Sequence, residues 1–212
     1  MRNVAIIGSG SWGVALAIHL AKQGHNVKIW SFSQEECDMI NNEKRCKFLP
    51  KVELPEGIKC STSYKEAIEG TDFIIHVTPS KFTRNIVKEY KQYVTNQPIV
   101  ICSKGFEKDS LMTLDEVIQE EIPNAKIAVL SGPSHAEEVS MGVPTVLVIA
   151  SKDNEVKEII QDAFMNEAIR IYTSNDIKGV ELGGALKNII AFCAGILVGM
   201  ELGDNSFAAL LT

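Results

Sequence analysis

The N-terminal stretch of this chain constrains its fold more than any other part. A short apolar run at residues 4–7 is followed at once by the pattern G-x-G-x-x-G, at Gly8, Gly10 and Gly13. An apolar segment then leads to Gly24, which is placed to end a helix. A buried strand, a glycine turn and a helix in this order are typical of a dinucleotide-binding fold, in which the helix N-terminus holds the pyrophosphate. We therefore predict a dinucleotide site here; the alternative is a tight turn in an α/β protein that binds no nucleotide.

Segments typical of strands and of helices alternate along the next part of the chain. Strands are predicted at residues 25–30, 58–61, 72–77, 98–102, 126–130, 144–150 and 169–172, and helices at 33–42, 64–68, 81–93, 110–121 and 154–165. This alternation predicts an α/β fold: a Rossmann-type, doubly wound and mainly parallel sheet with right-handed crossovers. Ligands of such sheets bind beyond the carboxyl ends of the strands. We therefore expect residues 78–79, 103–105 and 131–134 to line one crevice with the glycine turn.

The pattern changes near Asn175, where strands stop and residues 176–200 predict one long apolar helix. We expect residues 1–174 to form the dinucleotide-binding domain, and 175–212 to be the first helices of a truncated helical substrate domain. The longest apolar stretch, 189–200, is shorter than the ~20 residues that cross a bilayer, so a buried helix is predicted. The apolar pattern at 207–211 has no closing signal, which predicts a piece of a longer protein.

Composition limits the classes of partner. The chain has 21 Lys and Arg against 27 Asp and Glu, a net charge of −6, which argues against nucleic-acid binding through bulk charge. Its five cysteines and four histidines form no C-x-x-C or H-E-x-x-H pattern, so we predict no metal site and reduced thiols. The N-terminal apolar run is too short for a signal peptide. A cytoplasmic protein without stable membrane insertion is expected.

Two predicted strand ends carry residues suited to binding an anion. Lys104 could neutralise a phosphate or polarise a carbonyl, although a solvated surface lysine is the alternative. After the next strand, Ser134 is expected to be the N-cap of a helix, with Glu137 completing a capping box. That helix start would offer N–H groups to an anionic substrate. We expect His135 to be an exposed first-turn residue rather than an acid or base.

Lys187 lies inside an otherwise apolar predicted helix. A buried lysine is unfavourable unless it is paired, and burial lowers its pKa towards the range useful for proton transfer. We therefore predict that Lys187 is a general acid or base. The alternative is a lysine whose ammonium group reaches water along the helix surface.

Five segments together resemble the bacterial type of the NAD(P)-dependent glycerol-3-phosphate dehydrogenase family: GSGSWG (8–13), CSKG (102–105), LSGPSHAEEV (130–139), GVELGGALKNIIA (179–191) and GDNSFAALLT (203–212). The resemblance implies an oxidoreductase that interconverts dihydroxyacetone phosphate and sn-glycerol 3-phosphate by hydride transfer with NAD or NADP. Such an enzyme supplies the head-group precursor of glycerophospholipids. The implied partner is a small phosphorylated substrate and not nucleic acid, and a homodimer is left open.

The same resemblance implies roles for individual residues. Lys187 is the catalytic proton acceptor and, in the reductive direction, protonates the C2 oxygen. The substrate-binding residues are Lys104, Gly132, Ser134 and Lys187. The cofactor-binding residues are Gly8, Gly10, Ser11, Trp12, Gly13, Phe32, Ser33, Lys104 and Ala136.

Two departures from the family pattern affect these expectations. Many bacterial members carry a His-Arg pair where this chain has Phe32 and Ser33, and no acidic residue ends the second strand, since Glu35 and Glu36 lie further on. Loss of the arginine weakens the case for NADP, so we favour NAD, with use of both cofactors open. The family also continues beyond Thr212 with an aspartate and a Ser-Arg-Asn motif that hold the substrate phosphate. We expect this piece to bind dinucleotide but to have little or no dehydrogenase activity.

Two other functions remain as alternatives. One is another two-domain dehydrogenase, acting on a hydroxy acid or a hydroxyacyl thioester. The other is a non-catalytic dinucleotide sensor, which would need the glycine turn but no lysine in the apolar helix.

Overall fold

The computed structural model describes all of Met1–Thr212 and contains one eight-stranded sheet. The strands are β1 (Asn3–Ile7), β2 (Asn26–Trp30), β3 (Ile58–Ser61), β4 (Phe73–His76), β5 (Ile99–Ile101), β6 (Ile127–Ser131), β7 (Thr145–Ser151) and β8 (Ile169–Ser174). Their order in the sheet is β3-β2-β1-β4-β5-β6-β7-β8, and every neighbouring pair is parallel except β6 and β7. The predicted Rossmann-type, mainly parallel sheet is confirmed.

Nine α-helices connect and follow these strands. They are α1 (Ser11–Lys22), α2 (Gln34–Asp38), α3 (Tyr64–Ile68), α4 (Thr83–Tyr90), α5 (Leu114–Glu121), α6 (Ala136–Ser140), α7 (Asn154–Phe164), α8 (Ile177–Gly199) and α9 (Asp204–Leu211). Three predicted helices are shorter than expected, and the one predicted at 81–93 is α-helical only over Thr83–Tyr90, with a 3-10 turn at each end. A π-helical turn replaces the end of the one predicted at 33–42, and the one predicted at 110–121 starts only at Leu114, after Thr113 and Glu116 form a capping box.

Hydrophobic cores lie on both faces of the sheet. In β1, Val4 and Ile6 pack with α1 and α7 on one face, whereas Ala5 and Ile7 pack with α3, α4 and α5 on the other. Successive side chains of a strand point to opposite faces, so a strand covered on both sides is apolar throughout. This explains why the central strands appear in the sequence as continuous apolar runs.

The order of strands reverses between β1 and β4. The chain runs outward from β1 to β3 on one side and from β4 to β8 on the other. Ile7, the last residue of β1, pairs with Trp30 at the end of β2 and with His76 at the end of β4. The carboxyl ends of three strands are therefore level at the point where a doubly wound sheet binds its ligand.

The helix predicted at 176–200 is present as α8, but the prediction that it is buried is wrong for these residues. Only Ile177 and Glu181 of α8 are buried, and Phe192 is 69% exposed. The first part of α8 packs on β6 and β7 and contacts α5, and α9 packs on α8, but most of the remaining apolar side chains of α8 are exposed. The helix is long and apolar enough, with a mean hydropathy of 1.7 in its best window, to cross a membrane by length and composition alone.

Candidate active site

A cleft of about 900 Å³ lies at the carboxyl ends of β1, β4 and β5. Residues from three of the predicted strand ends line it: Thr78 and Pro79 after β4, Ser103 and Lys104 after β5, and Ser134 after β6. The glycine turn between β1 and α1 forms another wall. A smaller cavity of about 430 Å³ lies beside β2 and β3, away from the glycine turn. The large cleft is the one that the doubly wound topology predicts.

The three positions of the turn favour glycine for different structural reasons. Gly8 has φ +131°, and a Cβ atom there would lie 2.9 Å from the carbonyl oxygen of Val77. A Cβ atom on Gly13 would lie 2.2 Å from the carbonyl oxygen of Gly8, because α1 starts directly against the turn. Gly10 has open space around its Cβ position and is exposed at the cleft. Gly8 and Gly13 thus allow close packing, whereas Gly10 leaves room for a ligand.

The N-terminus of α1 is suited to binding an anion. Gly10 is its N-cap and provides no side-chain hydrogen bond, and no acidic residue lies in the first turn. The first N–H groups of a helix have no partner within the helix, and the helix dipole favours negative charge there. Ser11 and Trp12, both half-buried, line the cleft at this point. A pyrophosphate fits these donors.

The loop after β6 differs from the prediction. The N-cap of α6 is His135 and has no side-chain hydrogen bond, so the expected capping box of Ser134 and Glu137 is wrong. The reason is local, since the Ser134 hydroxyl donates to the carbonyl oxygen of Gly132 (3.4 Å) inside the turn. Ser134 and Ala136 line the cleft, whereas Gly132 packs against β7. His135 is exposed at the rim of the cleft.

Helix α8 crosses closely over the ends of β5 and β6. A Cβ atom on Gly184 would lie 2.9 Å from Ser131 Oγ and 3.5 Å from Lys104 Cγ. Residues three apart share a helix face, so Lys187 lies on the same side of α8 as Gly184. Burial, and next the positive charge of Lys187, lower the pKa of Lys104. The two half-buried lysines therefore lie near each other, although Lys187 is not part of the cleft wall.

Neither Lys104 nor Lys187 has an acidic partner. The ion pairs of the chain involve other cations, among them Lys178 of α8, which pairs with Glu116 (2.5 Å). Two unpaired cations at one place repel each other, and an anion bound between them would remove that repulsion. This corner of the site is suited to a phosphate or to a developing oxyanion.

The two residues that replace the His-Arg pair lie near the end of β2. Phe32 is 80% exposed at the rim of the cleft, and Ser33 lies outside the cleft wall. The Ser33 hydroxyl accepts a hydrogen bond from the backbone N–H of Glu36 (3.3 Å) and so caps α2. Neither side chain carries a charge that could pair with a phosphate.

Glu36, Lys47 and Phe48 are among the residues of the cleft wall that were not predicted from the sequence. Glu36 is only 6% exposed, and its Oε2 accepts hydrogen bonds from Ser9 (2.5 Å) and Ser31 (2.7 Å). Its Oε1 lies 2.6 Å from Lys47 Nζ. Burial opposes ionisation of Glu36, but the hydrogen bonds from Lys47, Ser9 and Ser31 hold its pKa below the usual value.

An acidic group thus lies at the end of β2 in space, although none lies there in the sequence. The signal that could have located it is the pattern S-x-x-E at Ser33 and Glu36, which begins a helix and places the glutamate in its first turn. That turn folds back over the strand end. Lys47 and Phe48, in contrast, come from an irregular segment whose position no local pattern predicts.

A doubly wound sheet with a glycine turn at its reversal point and unpaired lysines over its strand ends defines a dinucleotide-binding protein of the Rossmann type. A family model described as NAD-dependent glycerol-3-phosphate dehydrogenase N-terminus matches residues 3–157, and that for the C-terminus matches residues 176–212. The chain belongs to the NAD-dependent glycerol-3-phosphate dehydrogenase family, as the resemblance of its motifs predicted.

Individual relatives agree with this assignment. The chain is 48% identical to a glycerol-3-phosphate dehydrogenase [NAD(P)+] of Fusobacterium nucleatum, covering 100% of this chain and 64% of that protein. It is 45% identical to the protein of the same name from Bacillus pumilus, covering 100% of this chain and 63% of that protein. A crystal structure of glycerol-3-phosphate dehydrogenase from Coxiella burnetii superposes with a TM-score of 0.90 at 35% identity, covering 99% of this chain and 65% of that one. The chain therefore spans somewhat less than two thirds of the length of these relatives.

Proposed function

We propose that this chain is the dinucleotide-binding and catalytic-lysine part of an oxidoreductase that interconverts dihydroxyacetone phosphate and sn-glycerol 3-phosphate with NAD or NADP. The observation that carries the proposal is the close packing of Gly184 of α8 on Lys104, which lines the cleft with the glycine turn, while the unpaired Lys187 lies three residues further along the same face of α8. The names of the relatives support the same reaction. Supply of glycerophospholipid precursors in the cytoplasm is part of this proposal.

The residues of the glycine turn would hold the cofactor. Gly10 leaves space for the pyrophosphate, and the first N–H groups of α1, at Ser11 and Trp12, donate to it. Phe32 and Ala136 contribute to the wall of the same cleft. The nicotinamide dinucleotide supplies or accepts a hydride when it is bound.

Lys187 would hold the proton of the reaction. In the reductive direction its ammonium group donates a proton to the C2 oxygen as negative charge develops there, and it accepts that proton in the oxidative direction. Lys104 stabilises the developing charge and the substrate phosphate as a fixed cation. Ser134, at the cleft wall, offers a hydroxyl for orienting the substrate, while the turn of Gly132 positions that hydroxyl through its carbonyl oxygen.

The division into domains belongs to the same proposal. Residues 1–174 would form the dinucleotide-binding domain, since the sheet ends with β8 at Ser174. Residues 175–212 would begin a helical domain, whose further part would cover the apolar surface of α8. We expect the 212-residue chain to bind dinucleotide with little or no turnover, because the resemblance implies that residues holding the substrate phosphate lie outside these 212 residues. Homodimer formation remains an expectation of the same kind.

The test is oxidation of NADH and NADPH with dihydroxyacetone phosphate by a protein of the relatives' length. Lys187→Ala should lower kcat by about two orders of magnitude or more and leave the Kd for dinucleotide unchanged, since it removes proton transfer only. Lys178→Ala is the matched control, because it removes a lysine of the same helix that is paired with Glu116 outside the cleft. A Lys187→Ala variant with the parental rate would disprove the assignment.

The same experiment separates the alternative functions. A protein that binds NADH but turns over neither dihydroxyacetone phosphate nor any hydroxy acid would be a dinucleotide sensor. Turnover of a hydroxy acid or hydroxyacyl thioester in place of the phosphorylated ketone would indicate another two-domain dehydrogenase.

A further inference from the structure

We propose that Glu36 binds the 2′-hydroxyl of the adenosine ribose and gives the site a preference for NAD over NADP, with Lys47 as its counter-ion. The inference rests on the proposed function only in so far as the cleft binds a nicotinamide dinucleotide. The sequence analysis favoured NAD only because an arginine is missing. The position of Glu36 gives a direct structural reason for the same preference.

The position of Glu36 supports this role. Its carboxylate lies in the cleft wall and is bonded to Ser9, inside the glycine turn, and to Ser31, the residue after β2. The group is therefore held between the carboxyl ends of β1 and β2. In Rossmann folds an acidic residue about 20 positions beyond the glycine motif reaches the ribose from this place. Here that residue is delivered by the first turn of α2 instead of by the strand itself.

The hydrogen bonds of Glu36 leave one acceptor position free. Oε2 already accepts from two hydroxyl groups, whereas Oε1 has no partner other than the ammonium group of Lys47. A carboxylate oxygen accepts about two hydrogen bonds, so Oε1, which is buried next to the half-exposed Lys47 side chain, can accept one more from a ribose hydroxyl once that side chain shifts. A hydroxyl group can donate this bond, but a 2′-phosphate cannot.

The charge and the rigid position of Glu36 explain why the site would prefer NAD to NADP. Glu36 is nine-tenths buried and is tied to two serines, so it cannot turn away from a 2′-phosphate. Two negative groups at hydrogen-bond distance repel each other strongly at a site shielded from water. Lys47 uses one of its three ammonium N–H groups on Glu36 Oε1, so a 2′-phosphate that bound Lys47 would lie against the fixed carboxylate.

The experiment compares dinucleotide binding, not turnover. Isothermal titration of the chain with NADH and NADPH, and with ADP-ribose and its 2′-phosphate as probes without a nicotinamide ring, gives the ratio of Kd values. We expect the unaltered chain to bind NADH and ADP-ribose at least about tenfold more tightly than their 2′-phosphorylated forms. Glu36→Gln should reduce this ratio by about tenfold or more, by weakening NADH and strengthening NADPH.

The controls separate charge from folding. Glu35→Gln removes the adjacent carboxylate of α2, which is exposed and makes no ion pair, and should leave both Kd values unchanged. Glu36→Gln leaves Lys47 without its partner. The double variant Glu36→Gln with Lys47→Met has no unpaired charge and is therefore measured as well. Thermal melting of every variant shows whether it is folded. The double variant should also lose the preference for NADH.

Two results would overturn the inference. One is a preference of the unaltered chain for the 2′-phosphorylated ligands, which Lys47→Met selectively weakens, because Lys47 would then be the phosphate-binding residue. The other is an unchanged ratio in a folded Glu36→Gln variant. Absence of turnover with dihydroxyacetone phosphate, in contrast, would contradict the proposed reaction but leave the ribose assignment intact, since these titrations contain no second substrate.

Discussion

Replacement of Gly13 by alanine tests the central structural claim, that α1 starts in direct contact with the glycine turn. The new Cβ atom would lie 2.2 Å from the carbonyl oxygen of Gly8, and ordinary contacts of this kind begin at 3.4 Å, so the atoms must separate by 3.4 − 2.2 = 1.2 Å. Neither group can move freely, because the oxygen belongs to the backbone and α1 is buried from Gly13 to Leu20. The helix must therefore shift away from β1.

The magnitude follows from two opposing terms. Alanine in place of glycine within a helix contributes up to about 1 kcal/mol of stability. Overpacking in a rigid core costs about 1–3 kcal/mol and more where backbone must move, so we take about 3 kcal/mol here. The net loss is about 2 kcal/mol, which in a chain of this size lowers the Tm by about 4–8 °C. The Kd for NADH should rise together with this change, since the helix N-terminus moves.

The assay is thermal melting followed by NADH titration, with Gly10→Ala as the control. The Cβ position of Gly10 has nothing within 4 Å, and its φ of −66° suits alanine, so this variant should melt within about a degree of the parent. Its methyl group would nevertheless occupy the space left for the pyrophosphate, and we expect the Kd for NADH to rise by about tenfold. A Gly13→Ala variant with unchanged Tm, or a Gly10→Ala variant with unchanged Kd, would refute the reasoning.

Two further predictions concern helix α8. Burial, and next the neighbouring carboxyl of Asp115, raise the pKa of Glu181 to about 8. The folded state then keeps a proton that the unfolded chain releases from about pH 4.5 upward, so the free energy of unfolding falls as the pH rises from about 5 to 8, by at most about 1.4 kcal/mol per pH unit. Urea denaturation across this range should show a shallower decline for Glu181→Gln, and an identical slope would contradict the assignment. Gly184→Val should displace α8 from Lys104 and lower kcat/KM at least about tenfold in a protein of the relatives' length. Gly183→Val is the control, because its Cβ position has open space, and it should leave kcat/KM unchanged. Equal effects of the two changes would show that the close approach of α8 to Lys104 is unimportant.

The sheet and the glycine turn could be predicted from the sequence because local chemistry determines both. Continuous apolar runs indicate strands covered on two faces, and G-x-G-x-x-G between a strand and a helix is compatible with few other structures. The predicted strand ends after β4, β5 and β6 do reach one cleft. Topology explains this success, since all the parallel strands that carry these loops end at the same edge of the sheet.

The prediction of the helix N-cap after β6 was wrong because the hydroxyl group concerned had more than one possible hydrogen-bond partner. The sequence of Ser134 and Glu137 fits a capping box, yet the Ser134 hydroxyl bonds to the turn before the helix and His135 becomes the N-cap. Capping and turn hydrogen bonds compete for the same side-chain atoms within a few residues. Which of them forms depends on the path of the backbone around Ser134.

The sequence by itself determined the class of fold, the position of the glycine turn and the candidate lysines, because these depend on residue type and periodicity. Only the tertiary structure decided that Glu36 lies next to the end of β2. It also decided that α8 passes close to Lys104, so that the charge of Lys187 lowers the pKa of Lys104. It also decided that most of α8 has no cover within these residues. These three features have the same physical reason. Burial and contacts between distant segments depend on which elements pack together, and a local sequence pattern does not contain that information.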